Sequence, residues 1–318
     1  MIMDALASFP AGFRICLCGD SITAGGLWIR DITDYFLDAC PKRRILPINS
    51  GVPGDSASGA LRRIHADCTV WFPQVVVVMF GMNDVGRELY GRTADRALLE
   101  QREQRLRDYA AAMRRIVQEL QAAGSMVVLC TPTPYDEWGT AQAPVLTGCD
   151  GALESCAQTV RALAEERNCM LVDFHQAFLT RMQEEQDWPA VGPDRVHPTP
   201  VGHRFMAEVF LRRMGLLTGE EAFDPRQHKK NQQRFALEET LRNLSFADWC
   251  LNGDVRDSWD EAVGRINENL AAADAWNDAY ISRTIRLYRE NKINLDILRG
   301  ELARLTLAMY TDETEESA

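Results

Sequence analysis

Gln74-Val75-Val76-Val77-Val78-Met79-Phe80, followed at once by Gly81-Met82-Asn83-Asp84, is the stretch that decides the fold. A run this apolar with no polar alternation reads as a strand buried on both faces, which is the habit of a parallel sheet. Its length suits a strand rather than a membrane span, which needs about 20 apolar residues. Four similar short runs flank it: Phe13–Cys18, Arg44–Ile48, Ser125–Cys130 and Cys169–Phe174. Helical spacing fills the intervals over Leu27–Ala39, Leu98–Ala122 and Leu153–Arg167, and again over Gly202–Met214. This alternation predicts a three-layer α/β/α sandwich around a five-stranded parallel sheet. In such sheets ligands bind beyond the carboxyl ends of the strands, and the polar motifs of this chain sit just there.

The strand rhythm stops near residue 217. Beyond it, Trp259, Val263, Ile266 and Leu270, then Ile281, Ile285 and Tyr288, then Leu298, Leu302, Leu305 and Met309 follow helical spacing. The chain therefore divides into a core domain, 1–217, and an all-helical extension, 218–318, whose acidic end TDETEESA is expected to be disordered. The apolar stripes of the extension need a partner surface. They could brace the core, pair two copies of the chain as a homo-oligomer, or reach over the strand ends as a lid.

A net charge of −11, without a basic cluster, removes support for nucleic-acid binding. The first residues lack the basic leader and apolar core of a signal peptide, and no membrane span is expected. Nine cysteines are scattered without zinc-site or disulfide spacing, so a reducing cytoplasm fits and no metal or other cofactor is expected. Cys16 and Cys18, two apart on one strand, read as core residues.

Four segments carry the chemistry. Gly19-Asp20-Ser21 follows the first strand and precedes a helix, which sets Ser21 at the mouth of the sheet. A second triplet, Gly54-Asp55-Ser56, follows a loop and lacks that setting. Asp194-Arg195-Val196-His197 places a carboxylate three residues before an imidazole. The carboxylate can accept from one ring nitrogen, leaving the other to take the proton of a serine hydroxyl that is a poor nucleophile unaided. Asn83, at the end of the most apolar strand, can donate its amide to an oxyanion, and Gly54 can offer a backbone N–H to the same place. His203, six residues after His197, reads as structural rather than as a second base.

The four blocks Gly19-Asp20-Ser21, Asn49 to Gly59, Gly81-Met82-Asn83-Asp84 and Asp194-x-x-His197 occur in one order, and together they resemble the SGNH/GDSL hydrolase superfamily. The resemblance covers about residues 12–215 and implies a flavodoxin-like three-layer sandwich. It implies acyl transfer to Ser21, with His197 as base and Asp194 as its orienting partner. It also implies an oxyanion hole from the N–H groups of Ser21 and Gly54 and the side chain of Asn83. Small soluble esters, O-acetylated carbohydrates among them, are the expected substrates, with Tyr135, Trp138 and Trp188 as candidate walls of the site. A thioesterase, a short-chain lipolytic esterase and a non-catalytic binding or scaffold module are the alternatives.

Overall fold

The computed structural model describes residues 14–39, 46–139, 141 and 143–217. The helices expected over 218–318 lie outside the described residues.

Five parallel strands, β1 (Arg14–Gly19), β2 (Leu46–Gly51), β3 (Val75–Met79), β4 (Met126–Cys130) and β5 (Met170–Val172), form one sheet in the order β2-β1-β3-β4-β5. The register pairs Leu17 with Val77 and Val77 with Val128, so the most apolar strand lies at the centre. Every residue of β3 is buried, because helices cover both of its faces. On one side α2 (Leu27–Ala39) packs against α7 (Pro200–Arg213). On the other, α3 (Ala57–Asp67), α4 (Arg96–Ala122) and α5 (Cys149–Glu166) pack in succession. The architecture is the three-layer α/β/α sandwich read from the sequence. A short α1 (Ser21–Ala24) follows β1, and α6 (Phe174–Glu184) follows β5.

Two helices, α3 and α6, were not evident in the sequence, and β2 runs further than its apolar run suggests. Asn49, Ser50 and Gly51 belong to β2 although their side chains or backbone are polar. Burial is tolerated because each is satisfied: Ser50 Oγ donates to Asp67 O at 2.6 Å, and Asn49 Oδ1 accepts from Gly51 N at 3.0 Å.

The chain leaves β1 toward β2 on one side and returns to β3 on the other. The crevice at this reversal lies between the carboxyl ends of β1 and β3, where ligands of open parallel sheets bind. Gly19 and Met79 face each other across it. Among the described residues no helix is long and apolar enough to cross a membrane.

Candidate active site

Ser21 sits at the first turn of α1, immediately beyond β1. The turn requires Gly19: a Cβ there would lie 2.1 Å from Thr23 Oγ1 and 2.9 Å from Met79 O. Asp20 caps the helix, its Oδ1 accepting from Ile22 N at 3.0 Å. Asp20 is 2% exposed, and burial pushes its carboxyl up to about 7.

His197 comes from 176 residues further along the chain, in the loop before α7, and its Nε2 lies 2.8 Å from Ser21 Oγ. Its Nδ1 lies 2.5 Å from Asp194 Oδ2. With the ring proton on Nδ1, facing the carboxylate, Nε2 is left to accept from the serine hydroxyl. Asp194 Oδ1 in turn accepts from the backbone N–H of Val196 and of His197, both at 3.0 Å. Burial alone would raise the Asp194 carboxyl, but the hydrogen bonds from the His197 ring and from these backbone groups outweigh it and hold it below the usual carboxylate range. Asp194 therefore stays ionised where an imidazolium needs a counter-charge.

The loop carrying this pair is stiffened by its own backbone. Gly192 N donates to His197 O at 2.8 Å, and Arg195 N donates to Gly192 O at 3.0 Å. Arg195 adopts a φ of +66°, a left-handed conformation that disfavours a side chain with a Cβ. Its guanidinium compensates by donating to four carbonyls of a second loop: Ala143 O at 2.6 Å, Asp136 O at 2.9 Å, Gly139 O at 2.8 Å and Ala141 O at 2.9 Å. Asp136 N donates back to Arg195 O at 3.1 Å.

Gly54 and Asn83 close the other side. Asn83 Nδ2 donates to Asp55 O at 2.9 Å, which ties the end of β3 to the loop after β2. Arg87 Nη2 approaches Asn83 Oδ1 at 3.5 Å, in keeping with an amide whose Nδ2 faces the Asp55 carbonyl. Gly54 has a φ of +75°, so the turn itself requires glycine although a Cβ would meet nothing within 4 Å. Among the described residues the backbone N–H groups of Ser21 and Gly54 have no acceptor.

Beneath these loops lies a buried ion network that sequence reading missed. Arg63, 2% exposed, donates to Asp55 Oδ2 and Asp67 Oδ2, each at 2.7 Å, and to Ser50 O and Gly19 O. One guanidinium thus joins β1, β2 and the Gly54 loop. Asp84 closes the layer by accepting from Ala57 N at 2.8 Å, and its own burial pushes it to about 7.

The remaining candidates separate. Ser56 Oγ accepts from Gly59 N at 3.2 Å and caps α3, and among the described residues no histidine is one of its hydrogen-bond partners. His203 is buried and held neutral, its pKa pushed down to about 4 by burial and by the neighbouring His197. Tyr135 is 1% exposed, and its hydroxyl donates to Pro144 O at 3.0 Å, so it supports a loop instead of facing solvent. Trp138 and Trp188 do line a common cleft of about 880 Å³, with Leu179, Met182, Gln183 and Gly192. Among the described residues no group of three or more His, Cys, Asp and Glu side chains is placed to hold a metal.

The arrangement pairs a hydroxyl with an imidazole that can take its proton and a carboxylate that can balance the resulting charge, which is what acyl transfer to a serine requires. Comparison with known proteins agrees with that chemistry. The GDSL-like lipase/acylhydrolase family matches residues 17–205. The chain is similar to an acetylxylan esterase of Geobacillus stearothermophilus, 30% identical over 220 residues that cover 64% of this chain and 95% of that one. It is also similar to the human isoamyl acetate-hydrolyzing esterase 1 homolog, 26% identical over 61% of this chain and 77% of the other. Among solved structures, a gut microbial diltiazem-metabolizing enzyme shares the fold at a TM-score of 0.70 and 16% identity, covering 95% of both chains. The acetylxylan esterase from Geobacillus stearothermophilus shares it at 0.54 and 24% identity, over 66% of this chain and 98% of that one.

Proposed function

The chain belongs to the GDSL-like lipase/acylhydrolase family and is a carboxylic ester hydrolase, and on that premise we propose that Ser21, His197 and Asp194 form its catalytic triad. The observation that carries the proposal is the unbroken line from Asp194 Oδ2 through the His197 ring to Ser21 Oγ, at 2.5 and 2.8 Å. His197 takes the hydroxyl proton as Ser21 attacks the ester carbonyl, then gives it to the departing alcohol. A water molecule, deprotonated by the same ring, releases the acid and restores the serine. The N–H groups of Ser21 and Gly54 and the Asn83 amide hold the oxyanion in both steps. Solved catalytic mutants of the Geobacillus esterase replace a serine, an aspartate and a histidine, in keeping with this assignment.

The substrates are small acetate esters, O-acetylated sugars foremost. Two relatives are named for acetate esters, one of a polysaccharide and one of a simple alcohol. The test is a substrate series: acetyl, butyryl and longer p-nitrophenyl esters, then acetylated xylooligosaccharides. Turnover that falls with acyl length and persists on acetylated sugars is expected. A preference for thioesters or long acyl chains would overturn the substrate assignment while leaving the triad.

The seven described cysteines are all unpaired, which supports a reducing, cytoplasmic setting. The division of the chain at residue 217, and pairing of two copies through 218–318, rest on the sequence pattern. Solution mass of the full chain tests the pairing.

A further inference from the structure

We infer that the cleft between the Trp138 loop and α6 is a binding subsite for a neutral sugar chain, the alcohol side of the ester. The inference rests on the acetylated-carbohydrate reading above and extends it to a place on the protein.

Position comes first. Gly192 and Pro193, which line the cleft, lead directly into Asp194. A Cβ at Gly192 would lie 3.2 Å from His197 O and 3.6 Å from Asp194 Oδ1, so the cleft and the triad share a wall. An acetylated chain whose ester carbonyl meets Ser21 therefore has a trough beside the Asp194–His197 loop for its sugar portion. The volume, about 880 Å³, is at the upper end for small-molecule sites and exceeds what an acetyl group alone requires.

Lining chemistry selects the ligand. Trp138 holds its indole 61% exposed. Trp188 closes the far side, its ring braced edge-on by Phe205 at 4.8 Å and tilted against Phe178 at 5.5 Å. The lining also includes the amides of Gln183 and Gln186 and the carboxylate of Asp187, and among the described residues no lysine or arginine lines the cleft. A phosphate or carboxylate ligand would meet the Asp187 carboxylate among the lining groups, and the nearby Arg181 is set over the Trp188 ring, 5.9 Å from its centroid. A pyranose offers what these groups take: C–H faces that pack on indole and hydroxyls that pair with amides and carboxylates.

Rigidity completes the argument. Trp138 rides on a turn in which Asp136 Oδ1 accepts from Trp138 N at 3.0 Å and Gly139 N at 2.7 Å. The four carbonyl bonds from Arg195 then lock that turn to the Asp194–His197 loop. Arg195 is thus a positioning residue: it holds the aromatic platform at a fixed distance from the triad, which is how binding away from the bond is converted into alignment at it.

The test compares Trp138→Ala and Gln183→Ala with the native full-length chain on acetylated xylotetraose and on p-nitrophenyl acetate. The Trp138 ring is exposed, so its loss leaves the core intact, and a thermal melt checks this. The expected result is a KM for the oligosaccharide raised about tenfold by Trp138→Ala, with kcat/KM falling at least fivefold more on the oligosaccharide than on the small ester. In a Ser21→Ala background, calorimetric titration with unacetylated xylotetraose should show binding that Trp138→Ala weakens by the same factor. Equal losses on both esters, or xylotetraose binding indifferent to Trp138, would overturn the subsite and leave the carbohydrate reading in place. A native enzyme that cleaves p-nitrophenyl acetate but no acetylated sugar would overturn both.

Discussion

Replacing Asp20 by asparagine should make the protein more stable in alkaline solution while changing almost nothing near pH 4. Asp20 is 2% exposed and has no cation in contact; its one strong partner is the backbone N–H of Ile22. Burial, and secondarily the nearby Asp84 and Asp55 charges, raise its pKa from 3.8 to about 7. The folded state therefore keeps a proton between about pH 4 and pH 7 that the unfolded chain has released. Stability is greatest below that window and declines as pH rises through it, by about 1.4 kcal/mol for each pH unit crossed. Across the whole window, from 3.8 to about 7, the loss reaches on the order of 4 kcal/mol and is complete by about pH 8. Asparagine has the same shape and keeps an oxygen for Ile22 N, but never ionises. Its advantage should open through the window and level off above it, at roughly 2–4 °C in melting temperature per kcal/mol. Part of the native pH slope should persist in the variant, because Asp84 is raised to about 7 by its own burial. The assay is a set of thermal melts, native against variant, at pH values from 4 to 9. Parallel curves, or a variant less stable at pH 8, would refute the reasoning, since either means that Asp20 ionises in the folded state without penalty.

The remaining expectations concern single positions. Ser21→Ala should abolish labelling by a fluorophosphonate probe, whereas Ser56→Ala should keep it and cost only about 1 kcal/mol for the lost cap of α3; a label on Ser56 reverses the assignment. Asn83→Ala should lower kcat by about 10²–10³-fold with little change in KM, and a normal kcat removes this amide from the oxyanion hole. Asp194→Asn should cost about 10⁴-fold in kcat at neutral pH, and near-native turnover would mean that His197 needs no such partner. Arg63→Ala strands the buried Asp55 and Asp67 carboxylates and should destabilise by about 3–5 kcal/mol in urea unfolding; a loss under 1 kcal/mol would show that the network holds nothing together.

The sheet was legible because burial on both faces writes an uninterrupted apolar run, as in Val75–Met79, and α2 was bounded at Leu27 and Ala39 as read. Helix α3 was not, because its inward face mixes Ala57, Ala60 and Ile64 with Arg63 and Asp67, which breaks the apolar stripe that marks a helix. Helix α6 was lost for a different reason. Asp173 caps it directly after β5, its Oδ1 accepting from Gln176 N, so no loop separates the two elements and Phe174 reads as strand. At the site, Ser21, Asn83, Asp194 and His197 each carry a functional group that a motif exposes. Arg195 and Arg63 act on main-chain carbonyls or on carboxylates supplied by tertiary structure, and nothing in their immediate sequence announces those partners. The same limit applies to the walls. Three aromatic residues near the strand ends look alike in sequence, yet Tyr135 is enclosed while Trp138 stands in solvent.

The separation of 176 positions between Ser21 and His197 also orders the events by which activity would arise. On the proposed assignment the nucleophile leaves the ribosome early during synthesis, with β1, and its base only after all five strands. Until α7 docks against α2, a helix from the opposite end of the domain, Ser21 is an ordinary alcohol with no base beside it. Closing so long a loop belongs to the slow part of folding for sheets built from distant segments. Ester turnover in a refolding experiment should thus lag the recovery of helical and sheet signals and follow the docking of α7. The enzyme carries in its own reaction a clock for the last long-range closure of its fold.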